Sequence, residues 1–137
     1  MKSIYSYVCE MKVRDYECDL QGIVNNANYL HYLEHARHEF LLHLGLSFNE
    51  MHLAGIDPVV VRADMQFKHS LRPGDLFGVG IRVSKEGVRY TFVQDIFRLS
   101  DAKEVLKATI QVVMIQHGRP VKSTVYDAKL LGTDKAR

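Results

Sequence analysis

The sequence predicts an α+β chain, with one long helix lying against a curved, antiparallel sheet of about five strands. Three observations carry this. A stretch beginning at Tyr29 repeats its apolar residues with helical spacing. The pattern then changes to strict alternation, in four successive runs between Val59 and Met114. The connections between the later runs are too short for anything but antiparallel neighbours, because a parallel pair needs a long crossover.

A first strand sets Tyr7, Cys9, Met11 and Val13 on one side. In the helix, Leu30, Leu33, Ala36, Phe40, Leu41 and Leu44 recur at i, i+3, i+4 spacing and form one apolar face. Asn25, Asn26 or Asn28 can cap its start, since asparagine accepts from an unpaired N–H of the first turn, and Gly45 is a credible stop. This helix is about 17 residues, roughly 25 Å long at 1.5 Å per residue. The alternating runs follow: Val59–Phe67, Phe77–Val83, Tyr90–Arg98 and Leu106–Met114, each read as a strand with one buried face. Ser84–Gly87 and Ser100–Lys103 are hairpin-sized turns. The helix stripe needs a cover, and the apolar face of the sheet is the only large one on offer.

The 137 residues fit a single domain spanning 1–137. Hydrophobic residues at 47% and charged residues at 25% belong to a globular protein and not to a disordered chain. A net charge of +2, with both signs mixed, gives no reason to expect nucleic acid. No run of 18 apolar residues suggests membrane insertion. Met1–Tyr7 lacks the apolar core of a secretory signal. Cys9 and Cys18 make neither a disulfide framework nor a zinc site, and read as reduced thiols of a cytoplasmic protein.

The densest chemistry lies in Cys18–Arg37, CDLQGIVNNANYLHYLEHAR. An acid, Asp19, precedes a flexible Gly22, and three asparagines crowd the helix start. The first N–H groups of a helix have no intrahelical partner and carry partial positive charge. A carboxylate beside such donors can serve acyl chemistry, or it can be a surface acid that steadies the helix. His31, His35 and His38 have metal-like spacing, but they lie opposite the apolar stripe, where a solvated polar face explains them. Arg37 falls inside the stripe, and an ion pair with Glu34 is the expected reason. No metal or organic cofactor is called for.

This stretch resembles the D-x-x-G-x-V-x-x-x-x-Y-x-x-x-x-E-x-x-R signature of hotdog-fold thioesterases of the 4-hydroxybenzoyl-CoA thioesterase type. Asp19, Gly22, Val24, Tyr29, Glu34 and Arg37 carry the match. The resemblance implies a hotdog fold and an acyl-CoA thioesterase releasing a free carboxylic acid and CoA. Asp19 would be general base or nucleophile, and the backbone N–H of Asn26, seven residues on, the oxyanion donor. Gly22, Val24, Asn25 and Tyr29 would contact substrate. Arg89, and more weakly Lys68, Arg72 and Lys85, would hold CoA phosphates. A homo-oligomer, dimer or tetramer, is implied as well. Gln21 and Ile23 stand where plant-type acyl-carrier-protein thioesterases resemble D-x-N-x-H-V-N-N-x-x-Y, a departure from that subclass. A non-catalytic acyl-CoA-binding protein and a carrier-protein thioesterase or dehydratase are the other readings; binding alone would not need Asp19, and the dehydratase H-F-P-type motif is missing.

Overall fold

A computed structural model describes residues 4–132. Met1–Ser3, part of the stretch read against a secretory signal, lie outside the described residues. Strand β1 (Tyr7–Lys12) leads through one 3₁₀ turn (Asp15–Glu17) to helix α1 (Asn26–His43) and a short α2 (Phe48–Leu53). Strands β2 (Ile56–Phe67), β3 (Leu76–Glu86), β4 (Arg89–Arg98) and β5 (Glu104–Gln116) follow, then a two-residue β6 (Arg119–Pro120) and α3 (Asp127–Leu131). The sheet order is β1-β3-β4-β5-β2, with every pairing antiparallel and β6 added beside β5. This is the expected curled sheet on one long helix.

The ends of α1 follow from its sequence. Asn25 is the cap, its Oδ1 accepting from the Ala27 N–H at 2.9 Å, a bond worth about 1 kcal/mol. At the other end Gly45 adopts φ +80°, which only glycine takes without strain. The Leu46 N–H then reaches the Leu41 carbonyl at 2.8 Å and the Gly45 N–H the Leu42 carbonyl at 3.0 Å, closing the last turn.

The buried face of α1 is Tyr29, Tyr32, Leu33, Ala36, Arg37, Phe40 and Leu41, packed over Phe77, Val79 and Ile81 of β3 and Phe92 and Ile96 of β4. Leu30, expected on that face, is 41% exposed. The tyrosines displace it because their hydroxyls find partners indoors. Tyr29 Oη accepts from the Leu71 N–H at 3.1 Å, and the Tyr32 hydroxyl donates to Glu17 Oε1 at 2.7 Å. The expected Arg37–Glu34 pair is also corrected. Arg37 Nη1 donates to Gln94 Oε1 at 2.8 Å, and Glu34 stands exposed. Strand β2 lacks the buried face expected of it: Val59, Val60 and Val61 are 42%, 46% and 46% exposed. It is an outer strand, with its register against β5 shifted between Val60 and Arg62.

Two carboxylates tie the chain's outlying pieces to the sheet and helix. Burial pushes the Glu17 carboxyl up, but hydrogen bonds from the Arg14 N–H, the Tyr32 hydroxyl and the Arg14 guanidinium outweigh it and hold Glu17 below its ordinary value. Asp127, at the start of α3, is likewise pushed up by burial, yet lowered on balance by Lys85 at 2.7 Å and by the Tyr90 hydroxyl. A carboxyl lowered in the folded state stabilises the fold above its unfolded value and loses that contribution as pH falls through the folded one. Denaturant midpoints should therefore drop as pH is lowered from the ordinary carboxyl values of 4.5 and 3.8, and Glu17→Gln should flatten the fall. An unchanged acid limb in Glu17→Gln would remove Glu17 from this account.

Candidate active site at the start of the long helix

The approach to α1 is a closed loop held by its own main chain. The Asp19 N–H donates to the Ile23 carbonyl at 2.9 Å, and the Gly22 N–H returns to the Asp19 carbonyl at 3.0 Å. Cys18 and Val24 pair across its base. Gly22 adopts φ +75°, the backbone state the turn requires. Below the loop, the Val24 N–H donates to the Leu71 carbonyl at 2.9 Å and the Asn25 N–H to the Glu17 carbonyl at 3.1 Å; Asn28 Nδ2 reaches that same Glu17 carbonyl at 2.8 Å. Asp19 itself is exposed, and its Oδ1 accepts from the Gln21 N–H at 2.9 Å.

Asn26 is the first residue of α1, and its N–H has no acceptor among the described residues. It lines a cleft of about 180 Å³ with Tyr29, Phe67, Lys68, His69 and Ser70. Two of its lining residues are aromatic: the Tyr29 and Phe67 rings meet edge-on with centroids 5.6 Å apart. Lys68 leans toward Glu104 at 3.9 Å. Three of the residues singled out from sequence, Asn26, Tyr29 and Lys68, thus share one cleft.

The others take different places. Asp19 and Gly22 form the loop leading to the cleft, and Asn25 spends its side chain on the cap. Val24 is 2% exposed and belongs to the core. Arg89 lies at the far end of β4. That strand's other end reaches the cleft, since Arg98 Nη1 donates to the Ser70 carbonyl at 3.2 Å. The strand puts Arg89 about 30 Å from the cleft at roughly 3.3 Å per residue, and there it donates to Gln111 Oε1 at 2.8 Å. Lys85 is committed to Asp127.

His69 was not singled out by its sequence. Its Nδ1 lies 2.8 Å from the Glu104 carbonyl oxygen. A carbonyl only accepts, so Nδ1 carries the proton and, in the neutral ring, Nε2 is left as an acceptor. Two bonds of the neighbouring Leu71, its carbonyl accepting from the Val24 N–H and its N–H donating to Tyr29 Oη, bring this segment to the helix start. The thiol of Cys18, one residue before Asp19, is pushed up by partial burial and then by Asp15, Glu17 and Asp19, which disfavours the thiolate a nucleophile would need.

A curled antiparallel sheet around one long helix, with the Asn26 N–H left bare at the helix start, defines a protein of the hotdog class. The sequence matches the Thioesterase-like superfamily over residues 13–128, and the chain belongs to that family. It is similar to the chloroplastic acyl-acyl carrier protein thioesterase ATL3 of Arabidopsis thaliana, 40% identical over 82% of this chain and 60% of that one. The chain thus spans about 60% of that relative's length. A second Arabidopsis thioesterase of the same name series, ATL2, is 41% identical over 72% of this chain and 53% of its own. Among solved structures, a hypothetical protein from Aquifex aeolicus superposes with a TM-score of 0.85 at 29% identity, covering 91% of this chain and 98% of its own. A 1,4-dihydroxy-2-naphthoyl-CoA thioesterase from Synechocystis has the same fold, with a TM-score of 0.85 at 18% identity over 96% and 98%. The plant relatives qualify the inference drawn from Gln21 and Ile23: that departure does not set the chain apart from plant proteins named as carrier-protein thioesterases.

Proposed function

We propose that the chain hydrolyses acyl thioesters, with Asp19 and the Asn26 N–H acting on the reacting carbonyl. The observation that carries this is the unpartnered N–H of Asn26, a residue that lines a cleft at the start of an 18-residue helix and follows Asp19 by seven residues. As general base, Asp19 takes a proton from water while the water oxygen bonds to the carbonyl carbon. The oxyanion that forms is met by the Asn26 N–H, a donor of a kind commonly worth on the order of 10²–10³ in rate. The C–S bond then breaks with its electron pair going to sulfur, and the thiolate takes up a proton from solvent. As nucleophile, Asp19 would attack the carbonyl carbon first, the C–S bond breaking to release thiolate, which takes a proton from solvent; water would then split the resulting anhydride into the free acid and Asp19. Coenzyme A is the leading carrier, and the plant relatives' names make acyl carrier protein the second. The purified chain, offered acyl-CoA and acyl-carrier-protein panels, should release free thiol from at least one; silence on every thioester would sink the reading.

The exposed outer strand supports an oligomer. A sheet edge with three exposed valines invites pairing with a second copy, and we read the working unit as a dimer, or two dimers forming a tetramer. Light scattering at micromolar concentration should give at least twice the chain mass; a clean monomer would refute it. Arg89 then acts at a neighbouring subunit's site, holding a CoA phosphate with its planar fork. Arg89→Ala should raise KM and leave kcat nearly unchanged, because the contact is remote from the carbonyl. The penalty should vanish on acyl-pantetheine, which lacks the nucleotide; an equal penalty there would make Arg89 structural. Cys9 and Cys18 are both free, in keeping with a reducing compartment, and we place the chain in the cytoplasm. No helix among the described residues is long and apolar enough to cross a membrane.

A further inference from the structure

A second cavity, of about 210 Å³, lies farther along α1 and shares no lining residue with the cleft at Asn26. Leu41, Phe48, Phe92, Met114 and Leu130 give it apolar walls, and Arg37 lines it too. Arg37 is only 8% exposed. It makes one hydrogen bond among the described residues, to the neutral amide of Gln94, and no carboxylate lies within 4.0 Å of it. Gln94 is fully buried on β4 and donates its own Nε2–H to the Leu33 carbonyl at 3.0 Å, so the amide's direction is fixed. The guanidinium is therefore held toward β4, while Glu34 and His38, which also line the cavity, are exposed residues. Of the five N–H groups on an arginine, one is used here. No side-chain nitrogen among the described residues is both sealed and unpaired, so the unused N–H groups of Arg37 remain reachable by a ligand. Arginine has no acceptor to offer, so whatever completes this site brings oxygen.

We infer that this cavity binds an alkyl carboxylate, its carboxylate on the inner guanidinium of Arg37 and its chain along Leu41, Phe48, Phe92 and Met114. Two oxygens in one plane match the arginine fork, which a hydroxyl cannot do. Glu34, an exposed carboxylate that also lines the cavity, disfavours a pose with the ligand's carboxylate beside it and leaves that group to Arg37. The chemistry has two sources: a free carboxylic acid, or the far end of an acyl thioester bearing a second carboxylate. The binding itself does not rest on the thioesterase reading; only assigning its source does.

Octanoate and octan-1-ol serve as probes on the full chain, with the Met114 methyl resonance as reporter. Octanoate should shift that resonance and bind at least about tenfold more tightly than the alcohol, the advantage expected of a charge-assisted pair. Arg37→Met should erase the preference while keeping alcohol binding, and Arg37→Lys should keep part of it. Met114→Trp, which fills the cavity and leaves Arg37 in place, should weaken both probes; it keeps the test open if Arg37→Met does not fold. Equal binding of acid and alcohol by the native chain, no shift at Met114, or a preference that survives Arg37→Met would overturn the inference. For the source, hydrolysis of adipoyl-CoA is set against hexanoyl-CoA: faster adipoyl turnover assigns the carboxylate to the acyl group, and equal turnover assigns it to the free acid. If neither thioester is hydrolysed, the proposed activity fails while the probe binding still decides the site.

Discussion

Asp19→Asn should lower thioester turnover by about 10²–10⁴, the range for a positioned acid–base group, and leave the fold intact. The change is nearly isosteric. An asparagine Oδ1 can still accept from the Gln21 N–H, the one side-chain bond Asp19 makes, and the loop is otherwise closed by main-chain bonds. Thermal melting should therefore match the native chain, which separates chemistry from stability. Near-native hydrolysis by Asp19→Asn would show that the carboxylate is a surface acid steadying the helix, and would leave His69, an acceptor that lines the cleft, to be tested.

Gln94→Leu should cost about 2–3 kcal/mol of folding free energy, the scale of losing a buried hydrogen bond to a charged group. Gln94 is fully buried and serves two groups, the Arg37 guanidinium at 2.8 Å and the Leu33 carbonyl at 3.0 Å. Leucine fills similar space but leaves the Arg37 cation with no hydrogen bond among the described residues. The double variant Arg37→Met with Gln94→Leu should recover most of the loss, because replacing a buried polar pairing by apolar groups of like volume is often close to neutral. Urea unfolding of the single and double variants measures both terms. A double variant as unstable as Gln94→Leu alone would mean that the cost is packing and not charge.

The helix, the five long strands and their order of connection were legible because each is long enough to display its period. Asn25 could be narrowed only to one of three caps, since all three asparagines have the right chemistry and only the helix start decides among them. The helix face was misread at Leu30 because hydrophobicity alone cannot see the partners, Leu71 and Glu17, that let two tyrosines go inside. Short α2 carries a visible start signal, Ser47 three residues before Glu50, whose N–H it caps at 3.0 Å; six residues are too few to show a period. The alternation of β2 was real but did not imply burial, because an outer strand can be apolar and still face solvent in one chain. Arg37 and Gln94 are 57 residues apart, and His69 and Glu104 are 35 apart; no local pattern joins either pair.

The closed loop before α1 also bears on how this site can drift through evolution. Its shape is written in main-chain bonds between residues 19, 22 and 23 and in the left-handed turn at Gly22. The side chains of Leu20 and Gln21 point into solvent, with Leu20 at 107% exposure. Selection can therefore act on Asp19 and Gly22 while Leu20 and Gln21 change with little constraint. A motif search that demands particular side chains at such positions will divide relatives that share one working geometry.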